Sequence, residues 1–256
     1  MITHNAEIAA TADRADTLAD GVICTRKEGF FMTIRILGID CSPRKNSNSG
    51  ALLAKSFETA NATLKGDLEC EVLHLRDCKI SHCLACGVCG KRKDTAEYIP
   101  CVQHDDMTGI LEKMCAADGI AVATPVYFGM PSDLFSKFIM RTRVLRHQDF
   151  RLANKPVGIM AIAGRRSGGA ETTIVSCWLP FIRHGCLIVG NGDATCQYGT
   201  MGWAGPCGHI LSDEWGLEQG EQTVRRIYEV ATLVKAGRAV TGPSPMRFSY
   251  TSGNRP

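Results

Sequence analysis

The 256-residue sequence has none of the features that direct a chain into a membrane or onto nucleic acid. It contains no run of about 18 apolar residues, so no membrane-spanning helix is predicted. The first residues, MITHNAE, lack the basic start and apolar core of a secretory signal. Charge is nearly balanced, with 29 Lys and Arg against 26 Asp and Glu, which indicates no strongly basic surface. We therefore expect a cytoplasmic protein that binds neither nucleic acid nor membrane.

Several catalytic motifs are also missing. There is no G-x-S-x-G nucleophile elbow, and the seven histidines show no H-x3-H metal spacing. The loop after the first apolar segment has no G-x-G-x-x-G, the pattern with which a dinucleotide fold approaches a pyrophosphate. These absences argue against a serine hydrolase, a histidine-based zinc site and a dinucleotide pyrophosphate site at this loop.

Cysteine, in contrast, is abundant. Thirteen cysteines cannot all pair with one another because the number is odd, and in a cytoplasmic protein we expect reduced thiols. Five of them lie in apolar periodic segments and are predicted to be small buried residues: Cys41, Cys70, Cys115, Cys177 and Cys186. The cysteines outside such segments suggest metal or redox chemistry.

Short apolar runs alternate with helical patterns between residues 32 and 241. Five runs are predicted as strands buried on both faces: 33–40, 68–75, 119–124, 156–163 and 186–190. Segments of helical periodicity separate them, so we predict an α/β fold with a doubly wound, five-stranded parallel sheet. Ligands of such sheets bind at the carboxyl ends of the strands, in both the dinucleotide and the flavodoxin strand order. Residues 1–31 are predicted to be an N-terminal extension, and residues 242–256 a flexible tail.

The loop after the first strand carries the groups that a phosphate monoester needs. It runs CSPRKNSNSG from Cys41 to Gly50 and leads directly into a predicted helix. The free N–H groups and the dipole at a helix N-terminus favour an anion. The candidate phosphate ligands are Ser42, Arg44, Asn46, Ser47, Asn48 and Ser49. A polar turn with a serine or asparagine helix cap is the alternative interpretation.

Two loops together resemble the NADPH-dependent FMN reductase branch of the flavodoxin-like proteins. The first is the S-P-R-x-x-S-x-S of residues 42–49, and the second is TPVYFG at residues 124–129, similar to the T-P-x-Y-x-G turn that holds the isoalloxazine ring. The resemblance implies FMN as cofactor and the flavodoxin-like strand order 2-1-3-4-5 in a domain spanning 32–241. It assigns the ring to Pro125, Val126, Tyr127, Phe128, Gly129 and Gly164. The family's next helix usually ends in Asp-Arg, and here the pair is Met140-Arg141.

A cysteine-rich insertion, residues 76–104, follows the second strand. The candidate metal ligands are Cys83, Cys86, Cys89 and, after eleven further residues, Cys101. C-x2-C-x2-C with a distant fourth cysteine is a ligand spacing for a [4Fe-4S] cluster. A four-thiolate zinc site and a metal-free loop are the alternatives. The segment resembles the insertion of iron–sulfur flavoproteins, in which the fourth cysteine usually follows sooner, so Cys78 is a substitute for Cys101.

These features predict an FMN-dependent oxidoreductase of the iron–sulfur flavoprotein type, which passes electrons through flavin and a [4Fe-4S] cluster to a small-molecule acceptor. No side chain is assigned as acid or base, because the flavin carries the chemistry. NAD(P)H or ferredoxin is the expected donor, and the resemblance implies a homodimer or homotetramer. Two alternatives stay open: a cluster-free NAD(P)H-dependent FMN or quinone reductase, and a non-catalytic electron carrier or redox sensor.

Overall fold

The computed structural model describes residues 32–64, 68–91, 98–192, 198–205 and 209–244. The predicted extension and residues 245–256 of the predicted tail lie outside the described residues. The chain divides into two units, Met1–Met32 and Thr33–Pro256, and all the elements described below belong to the second. Among the described residues, no helix combines the length and the apolarity that crossing a membrane requires.

A parallel sheet lies at the centre of the second unit. Its strands are β1 (Ile34–Asp40), β2 (Leu68–His74), β3 (Gly119–Pro125), β4 (Pro156–Ala163), β5 (Leu187–Ile188) and β6 (Thr200–Trp203). The order is β2-β1-β3-β4-β5, and every pairing between these strands is parallel. The predicted flavodoxin-like order is confirmed, and the cysteine-rich region follows β2 as predicted.

The fifth position of the sheet differs from the prediction, because two short segments share it. The predicted strand 186–190 is reduced to two residues, which pair with Pro156 and Val157. β6 continues along the same edge of β4 and pairs with Met160–Ala163, so the described residues form six strands in place of the predicted five. Four residues that include a glycine are too short and too irregular to mark β6 in the sequence.

Helices cover both faces of the sheet. They are α1 (Asn48–Thr63), α2 (Val88–Lys91), α3 (Met107–Ala116), α4 (Asp133–Arg141), α5 (Arg143–His147), α6 (Ala170–Arg183) and α7 (Glu214–Thr241). Short 3₁₀ turns cover Leu75–Asp77 and Ile210–Ser212. On one face, strand glycines let helices approach the sheet closely. A Cβ at Gly119 would lie 2.4 Å from Ile227 of α7, and one at Gly38 would lie 2.7 Å from Phe57 of α1.

The other face holds a core built from α3, α4 and α6. Met107, Ile110, Leu111 and Met114 form a buried apolar stripe on α3, and Phe135, Phe138 and Phe181 belong to the same cluster. Of the cysteines predicted to be buried, Cys41, Cys177 and Cys186 are, and Cys115 is partly so. Cys70 is exposed, contrary to the prediction, because it lies on β2, the edge strand, whose middle residues face solvent.

Candidate functional site

A cavity of about 240 Å³ opens where the carboxyl ends of β1, β3 and β4 meet. It is lined by Ser42, Arg44, Asn48, Ser49, Pro125, Val126, Tyr127, Ile162, Gly164 and Ala204. Eight of the twelve residues predicted to hold FMN are therefore brought to one cavity. This edge is where ligands of doubly wound sheets bind.

The loop after β1 folds around the carboxylate of Asp40. The Ser42 N–H donates to Asp40 Oδ1 at 3.1 Å, and the Arg44 N–H donates to Ser42 Oγ at 3.2 Å. Ser47 caps α1: its Oγ accepts from the Gly50 N–H at 2.9 Å and donates to Asp40 Oδ2 at 3.1 Å. The Ser47 hydroxyl is thus hydrogen-bonded within the protein, and its carbonyl accepts from the Ala51 N–H, so a ligand would have to bind the Ser47 N–H.

Asp40 is fully buried and needs a counter-charge, since an unpaired buried carboxylate is costly. Arg76 supplies it, with Nη1 3.0 Å from Oδ2, and His74 Nδ1 lies 2.9 Å from the same oxygen. The negative charge beneath the loop is therefore balanced before any anion binds above it. Sequence reasoning missed this group, although an aspartate ending an apolar strand is a signal that could have revealed it.

The outer part of the loop carries groups that suit a phosphate. Arg44, Lys45 and Asn46 are exposed, and the first turn of α1 has no acidic residue. Asn48 belongs to the cavity wall, and its Oδ1 also accepts from the Ile210 N–H at 3.0 Å. Cations and N–H donors at a helix start fit a phosphate monoester.

The loop after β3 forms a tight turn. Tyr127 and Met130 exchange two backbone hydrogen bonds, of 2.9 and 3.0 Å, around Phe128 and Gly129. These two residues have φ of +54° and +73°, the left-handed pair of a two-residue hairpin turn. The ring of Tyr127 lines the cavity, whereas Phe128 is fully exposed at the tip. Thr172 Oγ1 donates to Gly129 O at 2.8 Å and holds the turn against α6.

Ser132, the cap of α4, joins the two loops. Its Oγ donates to the carbonyl of Cys41 at 2.6 Å and accepts from the Phe135 N–H at 3.3 Å. Its N–H donates to Thr124 Oγ1 at 3.2 Å. One residue therefore fixes the loop after β1 relative to the loop after β3. We call them the phosphate loop and the ring loop, after the parts of FMN that each is predicted to bind.

Four predicted residues lie outside the cavity lining, and two unpredicted ones belong to it. The four are Asn46, Ser47, Phe128 and Gly129. Ile162 and Ala204 line the cavity without having been predicted. Ile162 lies near the carboxyl end of β4, a position that the strand prediction already placed at the ligand edge. Ala204 follows β6, which the sequence does not mark.

The cysteine-rich insertion, residues 76–104 and called the cysteine segment below, lies at the surface where the structure describes it. Cys83 and Cys86 are exposed, and Cys89 and Cys101 are half-buried; all four are free thiols. Ala85 and Gly87, with φ of +51° and +74°, turn the chain between them. Burial raises the pKa of Cys89, and the charges of Cys101, Cys86 and Cys83 raise it further, whereas Arg143 lowers it. Within the described ranges, no three His, Cys, Asp or Glu side chains are gathered closely enough to hold a metal ion.

The donor set nevertheless fits an iron–sulfur cluster by its chemistry, because four thiolates are the ligands that such clusters take. Cys78, the substitute ligand, differs in its surroundings. Its Sγ lies 3.5 Å from the carbonyl of His74, and burial together with the charges of Asp106 and Asp77 raises its pKa. The Cys78 thiol is thus held at the end of β2, and Cys78 remains the substitute for Cys101 as a predicted ligand.

Comparison with known proteins gives consistent matches. Residues 34–192 match the family described as NADPH-dependent FMN reductase. The chain is 35% identical over 202 residues to an iron–sulfur flavoprotein of Methanocaldococcus jannaschii, covering 79% of this chain and 100% of that protein. It is 33% identical over 208 residues to an iron–sulfur flavoprotein of Methanosarcina thermophila, covering 80% and 99%. The crystal structure of RosB with bound 8-demethyl-8-formylriboflavin-5'-phosphate shares the fold, with a TM-score of 0.57, 16% identity and coverage of 87% and 93%.

Proposed function

The chain belongs to the NADPH-dependent FMN reductase family and is an FMN-dependent oxidoreductase, and we propose that it works as an iron–sulfur flavoprotein. In this proposal, FMN occupies the cavity, the cysteine segment holds a [4Fe-4S] cluster, and electrons pass to a small-molecule acceptor. The observation that carries the proposal is that hydrogen bonds from Ser81 to Asp105 and from Gln103 to His82 close the chain near Cys101 against the chain before Cys83, although eleven residues separate Cys101 from Cys89.

The FMN-binding domain is proposed to span 32–241. The phosphate is assigned to Ser42, Arg44, Asn46, Ser47, Asn48 and Ser49, and the ring to Pro125, Val126, Tyr127, Phe128, Gly129 and Gly164. When bound, flavin supplies hydride and single-electron chemistry, and the protein binds and orients it. Arg44 offers a charged donor to the phosphate, and Tyr127 offers an aromatic face to the ring. The proposed electron donor is NAD(P)H or a ferredoxin.

A second copy of the chain is proposed to cover the exposed side of the ring loop. Large apolar side chains are exposed there and along the outer face of α6: Phe128, Met130, Val175, Leu179 and Ile182. The two groups are continuous, since Ser176 Oγ of α6 lies 3.6 Å from Met130 Sδ. A contiguous apolar patch of this kind marks an interaction surface. It supports a homodimer, or a homotetramer built from such dimers.

The cluster is tested on protein purified without oxygen, by absorption spectrum, iron and acid-labile sulfide. We expect FMN and about four irons per chain in the wild type. Cys83→Ser should keep FMN and lose the iron. Cys70→Ser is the matched control, because Cys70 is also exposed but lies on β2, outside the segment. Iron that survives Cys83→Ser unchanged would contradict the proposed ligand set.

The phosphate loop is tested by FMN titration of Arg44→Ala. Loss of a charged hydrogen bond of ~1.5–3 kcal/mol should weaken FMN binding at least about tenfold. Lys55→Ala, which removes an exposed cation from α1 beyond the cavity, should leave FMN affinity unchanged. Equal affinities for the two variants would refute the assignment of Arg44.

A cluster-free NAD(P)H-dependent FMN or quinone reductase is the second candidate. It is favoured by the finding that the cysteine sulfurs are not gathered into a closed metal site within the described ranges. FMN without iron or sulfide in the anaerobic wild-type protein, together with NAD(P)H oxidation, would establish this candidate in place of the first.

A further inference from the structure

Arg141, the last residue of α4, lies buried beneath the cysteine segment. It is 2% exposed, and its guanidinium forms a two-pronged ion pair with Asp105. Nη1 lies 2.7 Å from Oδ2, and Nη2 lies 3.0 Å from Oδ1. Paired geometry of this kind is specific to arginine, because a lysine ammonium has no fork of donors.

The same ion pair holds both ends of the cysteine segment. Ser81, two residues before Cys83, donates its N–H to Asp105 Oδ2 at 2.9 Å. Its carbonyl accepts from Arg141 Nη1 at 2.9 Å. Asp105 follows Cys101 by four residues, so the chain enters and leaves the segment at one point.

A second contact closes the segment beside this pair. Gln103 Nε2 donates to the carbonyl of His82 at 3.2 Å. His82 immediately precedes Cys83, and Gln103 follows Cys101 by two residues. This closure brings the chain that follows Cys101 back beside the chain that precedes Cys83, across the long gap in the sequence.

Arg141 also keeps donors that the ion pair does not use. Nη1 donates to Asp105 and Ser81, and Nη2 donates to Asp105. The Nε–H is buried and has no partner among the residues that the structure describes. The guanidinium bonds to Ser81 and Asp105, the two residues that flank the stretch from Cys83 to Cys101. An unpartnered buried N–H is costly, and a hydrogen bond from arginine to a thiolate would be charge-assisted.

We propose that Arg141 is a positioning residue of the cysteine site: it holds Cys101 as the fourth ligand and places a positive charge against the thiolates. The inference rests on the proposed function, because it concerns the cluster that the segment would hold. Four thiolates give such a site a net negative charge, which grows by one when an electron is added. A cation beside the site favours the reduced form, and the carboxylate of Asp105 opposes it.

The two partners of the ion pair should therefore shift the midpoint potential of the cluster in opposite directions. Asp105→Asn leaves the Arg141 charge uncompensated and should raise the potential. Arg141→Met removes the cation and should lower it. Each substitution should shift the midpoint potential by ~59 mV. For a one-electron couple, that shift changes the ratio of reduced to oxidised cluster about tenfold at a fixed solution potential. Arg141→Lys keeps the charge but not the fork, so it should keep the potential and lose part of the iron.

The experiment is an anaerobic redox titration of the holoprotein, with the reduced cluster followed by electron paramagnetic resonance and iron counted per chain. Arg35→Met is the control, because it removes an exposed arginine near the amino end of β1 and should change neither quantity. Arg141→Met leaves Asp105 unpaired and is the variant most prone to unfold. Asp105→Asn and Arg141→Lys are the conservative tests.

The outcomes separate this inference from the proposed function. Asp105→Asn protein that holds full iron at the wild-type potential would show that the ion pair is only structural and would overturn the inference. Arg141→Lys with full iron and a shifted potential would also overturn it. A wild-type protein that binds no iron would overturn the proposed function itself, and the inference with it.

Discussion

Replacing Asp40 with asparagine probes the support beneath the phosphate loop. The side chain keeps its shape, so no cavity is made, and the change removes one charge and one acceptor. Oδ2 lies within hydrogen-bonding distance of Ser47 Oγ, His74 Nδ1 and Arg76 Nη1, and Oδ1 accepts from the Ser42 N–H. Whichever way the amide turns, its NH₂ group meets at least one of these donors.

The cost follows from the contacts. Removing one partner of a buried ion pair costs ~3–5 kcal/mol, and each hydrogen bond to a charged group contributes ~1.5–3 kcal/mol. The ion-pair value and the hydrogen-bond values concern the same carboxylate contacts, so they are not summed. Arg76 is 14% exposed and regains some hydration, which favours the lower end. We expect Asp40→Asn to lower the free energy of unfolding by about 3 kcal/mol, a large share of the ~5–15 kcal/mol of a typical domain.

The measurement is urea unfolding of the FMN-free protein, followed by titration with FMN. Asp133→Asn is the control, since Asp133 is 76% exposed and 3.8 Å from Lys137. The control should cost less than ~0.5 kcal/mol and leave FMN affinity intact. Asp40→Asn should also weaken FMN binding at least about tenfold, because the loop loses anchors worth more than 1.4 kcal/mol. A decrease of less than about 1 kcal/mol in the free energy of unfolding of Asp40→Asn, with unchanged FMN affinity, would refute the view that Asp40 holds the loop after β1.

Three further outcomes are expected. Burial, with the charges of its neighbours, lowers the pKa of His184 from 6.5 to about 4. The unfolded chain therefore binds the proton first as the pH falls. Relative to His184→Gln, the free energy of unfolding of the wild type should decrease by up to about 3 kcal/mol between pH 6.5 and pH 4. Parallel curves of unfolding free energy against pH for the two proteins would contradict this. Gly158→Ala places a Cβ 2.5 Å from a methyl carbon of α7 and should cost ~1–3 kcal/mol in urea unfolding, whereas Gly109→Ala, with open space in a helix, should stabilise by ~0.5 kcal/mol. Leu179→Lys should shift the protein toward monomer in analytical sedimentation, whereas Leu233→Lys, which is similarly exposed on α7, should not. An unchanged oligomeric state in both variants would exclude the outer face of α6 as the interface.

The sheet could be predicted because its inner strands are buried on both faces and so appear as unbroken apolar runs. The run at 156–163 coincides with β4, and the run at 119–124 falls one residue short of β3. β6 could not be predicted, because Thr200–Trp203 has no apolar run and becomes a strand only by pairing with β4. The strand order came from the resemblance, since the periodicity of the runs is the same in either doubly wound order.

The candidate site was predictable where its residue types stand directly after a strand, as in the loops that start at Ser42 and Pro125. The supports of those loops were not predictable. Asp40 pairs with Arg76, and Asp105 pairs with Arg141, across 36 positions in both cases. Ion pairs over such separations leave no local pattern, because the fold alone brings the partners together.

The bridge that Ser132 makes between the two loops has a consequence for which flavins the protein accepts. Because one residue holds the carbonyl after β1 and the hydroxyl at the end of β3, the scaffold sets the distance between the two ends of the cavity. A cofactor must span that distance with its own linker. If FMN binds as proposed, we expect riboflavin, which has no phosphate, to bind only one of the two loops, so the protein should discriminate between flavins by the length and terminus of the ribityl chain as well as by the ring.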